Sequence, residues 1–588
     1  MTTQEKLAVA GNPSDIEASL VVRRLQIVCW VAGIALAVVR VWFTRYELTP
    51  DSMSYLDIAR AVAEGHRHVA INAYWSPGYP VLISLFLRLF HPTAYWEFPL
   101  VHAVNLLIFV GTLASFQMFW REAFQWHRKY AEGWDTAIPE DAFWALGYAV
   151  FGIAILNIIT VALVGPDLLV VAFCCLAGCS ALRFRRAPGI GRALLLGLVL
   201  ALGYYVKAPF FPLAIVFILC ACWQRPVSPR IVLLAGTAAA AFLLACAPLV
   251  NALSQASGRL TFGDSARVNQ AFYVNGVQYF RHWQGGPQGS GVPVHPTRKL
   301  SDYPQIYEFA ADDLGTYPPW FAPTYWYAGI RPHLDVRRQT ILFIRNLAVE
   351  FQIIMESGAA IVCVTIILAL LTGCRKRLVP GLLQLWFVWV PGVVALLMFA
   401  LIHVEPRFLG GWLMMVFAGV ACVCVLPPDA GTSRAVRCIG TAALITTAAA
   451  ILLQASREAV GIDHVEGRSS EDATIATGLL RDGLHAGDHV AVIGDGTGAY
   501  WAHLARLQII AEIPAGSASR PSLPAMDFWE SGSESQKRAL GILQRTGAKA
   551  VIGGANPSFA DAVPSRIPAG WKRIEATRAY VYFFPADR

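Results

Sequence analysis

Long apolar stretches separated by short polar segments dominate the hydropathy pattern of this chain. A window of about 19 residues, which matches the length of a membrane-spanning helix, detects eleven apolar segments. They lie near residues 22–43, 98–119, 142–162, 165–183, 191–206, 208–224, 231–250, 351–373, 380–402, 408–427 and 434–455. The segments between residues 142 and 224 are closely spaced, which leaves the exact count open there. The pattern predicts a mainly α, polytopic membrane helix bundle of about eleven transmembrane helices.

Composition supports the same class of protein. Hydrophobic residues make up 56% of the chain and charged residues only 15%, which excludes an ordinary soluble globule of 588 residues. The formal net charge of +8 does not indicate a nucleic-acid partner, because the basic residues fall in short clusters between apolar segments, as topology signals do. The cysteines lie in or beside apolar segments, so we expect neither a disulfide framework nor a CxxC metal site.

The basic clusters predict how the bundle is oriented. Residues 1–21 form a polar tail without the apolar core and cleavage site of a signal peptide, so the first apolar segment should remain as an anchor. If this tail is cytoplasmic, every loop on its side is basic, as the positive-inside rule requires. These loops carry Arg121, Arg128 and Lys129, then Arg183, Arg185, Arg186 and Arg192, then Arg225 and Arg230, then Arg375, Lys376 and Arg377, and last Arg434 and Arg437. The loops 45–97 and 251–340 and the region 456–588 are therefore predicted on the outer face.

The first outer loop has an acidic residue directly behind the first apolar segment. Asp51 precedes a stretch, residues 52–64, whose apolar spacing predicts a short amphipathic helix on the membrane surface. Asp51 is therefore either a helix cap or a reactive group. An aromatic turn follows, in which Trp75 and Tyr79 suit either membrane anchors or cleft residues.

Other charged residues border apolar segments on the same predicted side. Lys207 interrupts the run between the fifth and sixth segments, where a lysine at membrane depth costs about 3 kcal/mol. Asp167 follows a Gly-Pro turn at the start of the fourth segment, and Glu405 and Arg407 flank Pro406 before the tenth. Each has a plain alternative explanation: snorkelling for the lysine, capping for the aspartate and a surface ion pair for the last two.

The second outer loop, residues 251–340, is polar, aromatic and rich in Gly and Pro. A loop of about ninety residues far exceeds ordinary connections and is typical of lids or binding surfaces. Asp264 lies in it, as does the aromatic stretch Thr316-Tyr317-Pro318-Pro319-Trp320. Such aromatic side chains can stack on sugar rings or simply pack the loop against itself and the membrane surface.

The order of these motifs resembles that of bacterial C-type membrane glycosyltransferases, a superfamily that includes protein O-mannosyltransferases and lipid A aminoarabinose transferases. The motifs are Asp-Ser-x-x-Tyr from Asp51 to Tyr55, Tyr-Trp-Ser-Pro-Gly-Tyr-Pro, Gly-Pro-Asp, Gly-Tyr-Tyr-Val-Lys-Ala-Pro and Glu-Pro-Arg-Phe-Leu, within residues 20–455. The resemblance implies transfer of a sugar from a polyprenyl phosphate, with the acidic residue of the first outer loop at the reaction centre. Many relatives carry two adjacent acids there, whereas Ser52 follows Asp51 here, which leaves open whether Asp167 supplies a second acid.

Such a transfer needs a base for the acceptor hydroxyl and a cation for the departing phosphate. Asp51 is the candidate base, and Lys207 and Arg407 are the candidate phosphate ligands. The second-tier cleft candidates are Asp167, Glu405, Tyr55, Trp75, Tyr79 and Asp264. No cofactor is assigned, and a divalent cation near Asp167 stays open. The expected partners are a polyprenyl-phosphate sugar donor, membrane lipids and an envelope acceptor that is a lipid, a glycan or a protein, with no nucleic acid.

The composition changes beyond the last apolar segment. A helix near residues 474–482 and strands near 489–494, 509–513, 550–552 and 580–584 predict a small α/β domain over residues 456–588. Its Gly-Asp-Gly-Thr-Gly turn at residues 494–498 is GxGxG rather than the dinucleotide signature GxGxxG, which favours a structural or acceptor-docking module. A transporter or flippase, or a non-catalytic envelope-assembly protein, is the alternative to a transferase, although no inverted repeat is visible.

Overall fold

The computed structural model describes residues 13–132, 137–224, 226–277, 282–286, 290–309, 315–372, 377–426, 429–460, 470–515, 524–554 and 568–585. Three basic residues of the predicted cytoplasmic loops, Arg225, Arg375 and Lys376, lie outside these ranges. Within them the chain forms a bundle of long helices that carries one mixed sheet.

The helices follow one another along most of the chain. In order they are α1 (Pro13–Phe43), α2 (Pro50–Ala63), α3 (Gly78–Phe90), α4 (Ala94–Ala131), α5 (Glu140–Gly152), α6 (Asp167–Arg186), α7 (Ile190–Val206), α8 (Phe210–Cys222), α9 (Pro229–Ser257), α10 (Ser265–Asn269), α11 (Pro318–Phe321), α12 (Pro323–Trp326), α13 (Val336–Thr372), α14 (Val379–Gln384), α15 (Trp386–Ala400), α16 (Pro406–Val423), α17 (Ala430–Val460), α18 (Glu471–Arg481), α19 (Tyr500–Ala505), α20 (Pro524–Glu530) and α21 (Ser533–Gln544). Helix α5 continues as a π-helix over Ile153–Ile159.

Each predicted apolar segment coincides with a helix. In the described part of the chain, eight helices are long and apolar enough to cross a membrane. The other three segments correspond to α7, α8 and α15, which are apolar but shorter. Large apolar side chains such as Leu219 and Leu244 are exposed on the bundle, where lipid would cover them. The chain is therefore a polytopic membrane protein, as the hydropathy pattern predicted.

The two ends of helix α6 carry opposite charges. Asp167 begins the helix, and the last turn holds Arg183 and Arg186, both of which pair with the buried Glu122 of α4. A helix of 20 residues is about 30 Å long, so the acidic and basic groups lie at opposite ends of the bundle. The basic end corresponds to a predicted cytoplasmic loop, while the orientation in the membrane stays a prediction.

A seven-stranded sheet lies beside the bundle. Its strands are β1 (Arg298–Asp302), β2 (Gln305–Glu308), β3 (His489–Ile493), β4 (Gln508–Ile513), β5 (Ala550–Gly553), β6 (Lys572–Arg573) and β7 (Tyr580–Phe583), in the spatial order β1-β2-β4-β3-β5-β7-β6. The central strands β4, β3 and β5 are parallel and almost entirely buried, which suits their apolar runs. The predicted α/β character of this region is confirmed.

The hairpin of β1 and β2 comes from the 251–340 loop rather than from the C-terminal region. It joins the sheet by antiparallel pairing of β2 with β4, where Tyr307 lies opposite Glu512. The long outer loop and the C-terminal region therefore share one sheet, although their sequences are separated by the last four predicted membrane segments.

Helix α2 occupies the space between the bundle and this sheet. Its N-cap is Thr49, whose side chain accepts a hydrogen bond from the backbone N–H of Ser52, while the Ser52 hydroxyl accepts from the backbone N–H of Thr49. Asp51 is therefore not the cap of this helix, and its carboxylate makes other contacts. Most side chains of α2 are buried, so the helix is covered on more than the single face that an interfacial helix would bury.

Candidate active site

A cavity of about 260 Å³ lies where several helices of the bundle begin or end. Its walls come from the starts of α2, α6, α8 and α16, the end of α15 and the 251–340 loop. Seven of the predicted site residues line it: Asp51, Tyr55, Trp75, Asp167, Lys207, Glu405 and Arg407. The structure thus brings together charged residues that are widely separated in sequence.

Arg407 is the centre of the first charged group. Its Nη2 lies 2.7 Å from Oδ2 of Asp51, and its Nε lies 2.5 Å from Oε2 of Glu405. Pro406 occupies the first position of α16, which suits its fixed φ, and places Glu405 and Arg407 on either side of the helix start. The other Asp51 oxygen, Oδ1, accepts a hydrogen bond of 3.3 Å from the indole Nε1–H of Trp320. Asp51 is thus held between a cation and a neutral donor.

Lys207 and Asp167 form the second charged group. Lys207 lies in the break between α7 and α8, with its Nζ 2.7 Å from Oδ1 of Asp167 and 4.3 Å from the ring centroid of Phe408. The other Asp167 oxygen, Oδ2, is buried without a hydrogen-bond partner. A buried carboxylate oxygen without a donor is energetically unfavourable. Lys207 therefore forms an ion pair rather than snorkelling alone.

The ionisation of Glu405 follows from its neighbours. Burial alone would raise its pKa, but the hydrogen bond from His403 and the positive charge of Arg407 outweigh burial and hold the pKa at about 2. The Nε2 of His403 lies 2.9 Å from Oε1 of Glu405, and its ring stacks on Tyr273 with centroids 4.0 Å apart. Asp51, Asp167 and Glu405 thus face two cations, Arg407 and Lys207.

Aromatic side chains form another wall of the cavity. The ring of Trp75 meets those of Tyr55 and Trp320 edge-on at centroid distances of 5.1 and 5.7 Å. Trp75 also donates its Nε1–H to the Trp320 carbonyl at 3.0 Å, so it is a buried cavity residue and not a membrane anchor. Burial, Asp167 and Asp51 all raise the pKa of Tyr55 well above its usual value, which keeps its hydroxyl protonated.

Two predicted residues lie away from the cavity. Tyr79 is fully buried in the helix packing, where its hydroxyl donates to Oδ1 of Asn105 at 2.9 Å. Asp264 pairs with Arg259 and accepts a hydrogen bond of 3.1 Å from the Thr261 hydroxyl, within its own loop. Both residues are structural in these contacts. Tyr79 and Asp264 were predicted as cleft residues because the sequence shows on which loop a residue lies but not the direction of its side chain.

His403 and Trp320 also line the cavity and are not among the site residues predicted from the sequence. Trp320 was visible only as one of several aromatic residues of the 251–340 loop. The position of His403 two residues before Glu405 was the available signal. Trp320 had no comparable local signal, because its contact with Asp51 spans 269 positions of sequence. Among the residues that the structure describes, no three His, Cys, Asp or Glu side chains are arranged to hold a metal ion.

Comparison with solved structures finds membrane glycosyltransferases. ArnT from Cupriavidus metallidurans in the apo state aligns with a TM-score of 0.48 and 11% identity, over 94% of this chain and 97% of that chain. The same protein bound to undecaprenyl phosphate gives 0.49 and 12%, with the same coverage. The oligosaccharyltransferase from Archaeoglobus fulgidus gives 0.45 and 11%, over 90% and 68%.

ArnT is an aminoarabinose transferase, and both it and the archaeal enzyme are C-type membrane glycosyltransferases. No protein-family model and no curated protein sequence matches the chain.

Proposed function

We propose that the protein is a glycosyltransferase that moves a sugar from a polyprenyl-phosphate carrier to an acceptor of the cell envelope, at the outer face of the bacterial cytoplasmic membrane. The observation that supports this most is the meeting of Asp51 with Arg407, 356 positions apart, beside the pair of Lys207 and Asp167 in one cavity. A base and two cations in one cavity suit the transfer of a sugar from a lipid phosphate.

In this proposal Asp51 is the general base. An acceptor hydroxyl oxygen attacks the anomeric carbon of the sugar, the bond from that carbon to the phosphate oxygen breaks, and the hydroxyl proton passes to Asp51. A positioned carboxylate of this kind typically contributes about 10²- to 10⁴-fold to the rate. The polyprenyl phosphate leaves with the bonding electrons, and its growing negative charge is stabilised by nearby cations.

Lys207 and Arg407 are proposed to hold the phosphate. The planar fork of Arg407 suits two phosphate oxygens, and Lys207 adds a compact point charge. Both cations are bound to carboxylates in this structure. A donor phosphate that engages Arg407 would weaken its contact with Asp51, which makes the carboxylate a better proton acceptor. Donor binding and activation of the base would thus be one event.

The decisive experiment is a transfer assay with the purified protein and a small panel of radiolabelled polyprenyl-phosphate sugars in membrane-like vesicles. At least one donor should yield labelled acceptor or hydrolysed sugar with the wild-type protein. Asp51→Asn should lower this transfer, and Asp141→Asn is its matched control, because Asp141 also pairs with an arginine, Arg437, but at a different part of the bundle. A labelled lipid that crosses the vesicle membrane with its sugar still attached would favour a flippase instead.

A further inference from the structure

A further charged group, to which helix α2 contributes Asp57 and Arg60, lies away from the cavity. Asp57 is buried, and its Oδ1 lies 2.6 Å from Nδ1 of His503, which belongs to α19 of the C-terminal region. The Nε2 of His503 lies 2.7 Å from Oε1 of Glu97 on α4. Arg60 of α2 contacts both the Glu97 carboxylate and the His503 carbonyl. These contacts join the first outer loop to the C-terminal region.

Asp57 also binds a short segment of the long outer loop, residues 315–321, which we call the strap. The backbone N–H and the hydroxyl of Thr316 donate to the two Asp57 oxygens at 2.8 and 2.7 Å. Further along, the Ser54 hydroxyl donates to the Trp320 carbonyl at 3.1 Å. Residues three apart share one face of a helix, so the strap follows the face of α2 that carries Asp57, Ser54 and Asp51. It ends with the Trp320 indole at Asp51.

The other side of the strap is held by the C-terminal sheet. The Thr316 carbonyl accepts from the backbone N–H of Ile509 at 2.9 Å, and the Tyr317 hydroxyl donates to Oε1 of Glu512 at 2.8 Å. Glu512 is fully buried and also contacts His282 and the backbone N–H of Gly496.

The Tyr317 ring lies against the Gly-Asp-Gly-Thr-Gly turn. A Cβ at Gly496 would collide with that ring, so glycine is required there for this close approach. The turn that resembled a nucleotide-binding loop therefore receives a tyrosine side chain of the same protein.

We propose that the C-terminal region is a positioning part of the active site: through Glu512 and the Tyr317 hydroxyl it fixes the strap, and the strap sets the direction of the Trp320 N–H that binds Asp51. Tyr317 and Asp57 are positioning residues in this scheme, since neither lines the cavity. The proposal rests on the proposed function only for the role of Asp51. The course of the strap is independent of it.

The test is a double-mutant cycle in the full-length protein. Tyr317→Phe removes one hydroxyl and keeps the ring, and Trp320→Phe removes the indole donor. Because loss of positioning contacts commonly lowers activity 10- to 100-fold, we expect Tyr317→Phe to lower kcat about 10-fold while the KM for donor changes less than about two-fold. Since both variants act on one contact, the double variant should be no slower than Trp320→Phe.

The matched control is Glu64→Gln, which removes an exposed ion pair between the end of α2 and Arg506 of the C-terminal region without touching the strap. It should leave kcat unchanged. An unchanged kcat in Tyr317→Phe, or losses in the double variant that multiply, would overturn the proposal, because the two residues would then act separately.

Amide hydrogen exchange supplies a readout that needs no transferase activity. In Tyr317→Phe, exchange should accelerate in the strap and in the first two turns of α2, and not in the membrane helices. The Glu64→Gln protein should match the wild type in both. Unchanged exchange in the strap of Tyr317→Phe would overturn the positioning scheme. Absence of sugar transfer by the wild-type protein with every donor would defeat the proposed function alone, since the exchange comparison would still decide the coupling.

Discussion

Helix α2 contributes side chains to two charged clusters, which differ in burial and in how completely their carboxylates are hydrogen-bonded. The cavity cluster consists of Asp51, Asp167, Lys207, Glu405 and Arg407. The interdomain cluster consists of Asp57, Arg60, Glu97 and His503. In the cavity cluster the Asp51 and Arg407 side chains are 21% and 19% exposed, and Asp167 has an oxygen without a partner. In the interdomain cluster His503 and Asp57 are 1% and 4% exposed, with every carboxylate oxygen hydrogen-bonded.

This difference in burial and hydrogen bonding indicates that similar charged groups have two different roles, ligand binding in one cluster and structural support in the other. An ion pair beside a cavity, with a spare acceptor nearby, can exchange one partner for a ligand at modest cost. A fully satisfied buried cluster cannot, because removal of one member leaves an unpaired charge out of water. We therefore interpret the cavity cluster as the exchangeable site and the interdomain cluster as a fixed joint between the membrane bundle and the C-terminal region.

The largest effect on stability is expected from Asp57→Asn. The substitution keeps the shape of the side chain but removes the charge that faces His503, and breaking a buried pair costs about 3 to 5 kcal/mol. The apparent melting temperature should fall clearly, and limited proteolysis should release the C-terminal region earlier than in the wild type. A melting curve that overlays the wild type would show that the interdomain cluster is not a joint.

Asp51→Asn on the same helix should show the opposite behaviour. It removes basicity and retains shape, so turnover should fall about 10²-fold or more while the melting temperature stays near that of the wild type. Sugar transfer measured beside thermal unfolding checks both halves of the prediction. Turnover near that of the wild type would show that Asp51 is not the base, and the cavity cluster would then differ from the interdomain cluster only in its burial and hydrogen bonding.

The two cations of the cavity cluster should affect donor binding rather than folding. Lys207→Ala and Arg407→Ala should each weaken binding of a polyprenyl-phosphate sugar about 10-fold or more, because a hydrogen bond to a charged group contributes about 1.5 to 3 kcal/mol. Because they share one ligand, their effects should not add. Asp51→Asn serves as the control that retains donor binding. Either cation variant that binds donor as tightly as the wild type would be excluded from the phosphate site.

The thermal stability of the protein should depend on pH through His503 of the interdomain cluster. Burial and the charge of Arg60 lower the pKa of His503, but the Glu97 carboxylate and hydrogen bonds to Asp57 and Glu97 outweigh them and raise it above the usual 6.5. The stability that His503 contributes is therefore fully present below pH 6.5 and is lost as the pH rises through the folded-state value. Melting temperatures from about pH 6 to pH 9 should decline in the wild type and less in His503→Gln. Equal slopes would contradict a charged His503.

Glu64→Gln should have the smallest effect. Its partner Arg506 is 59% exposed and Glu64 is 42% exposed, and such surface pairs contribute less than about 1 kcal/mol. The ion pair of Glu64 with Arg506 links the same two regions as the contact of Asp57 with His503, but it lies outside the buried cluster. A loss of stability as large as that of Asp57→Asn would show that the whole contact, and not the buried cluster, holds the C-terminal region in place.

The amino-acid sequence by itself determined the apolar helices and most strands of the C-terminal region. Hydropathy and side-chain periodicity are local properties, so each of the eleven apolar segments coincides with a helix, and strands β3, β4, β5 and β7 were predictable within a few residues. The helix bounds were less predictable, because α4 (Ala94–Ala131) and α13 (Val336–Thr372) extend well beyond the segments 98–119 and 351–373. The charged residues at the segment ends were also visible, because a charge such as Lys207 is costly inside an apolar run. Sequence could therefore indicate which groups are available at one end of the bundle.

Only the tertiary structure decided how those groups are paired. It made Thr49 rather than Asp51 the cap of α2, turned Tyr79 and Asp264 away from the cavity, and brought Trp320 to Asp51. It also inserted a hairpin of the outer loop into the C-terminal sheet. The contact of Trp320 with Asp51 spans 269 positions of sequence, and the roles of Thr49, Tyr79 and Asp264 depend on the direction of single side chains. Neither leaves a periodic or compositional trace along the chain, because both arise from packing of the whole molecule.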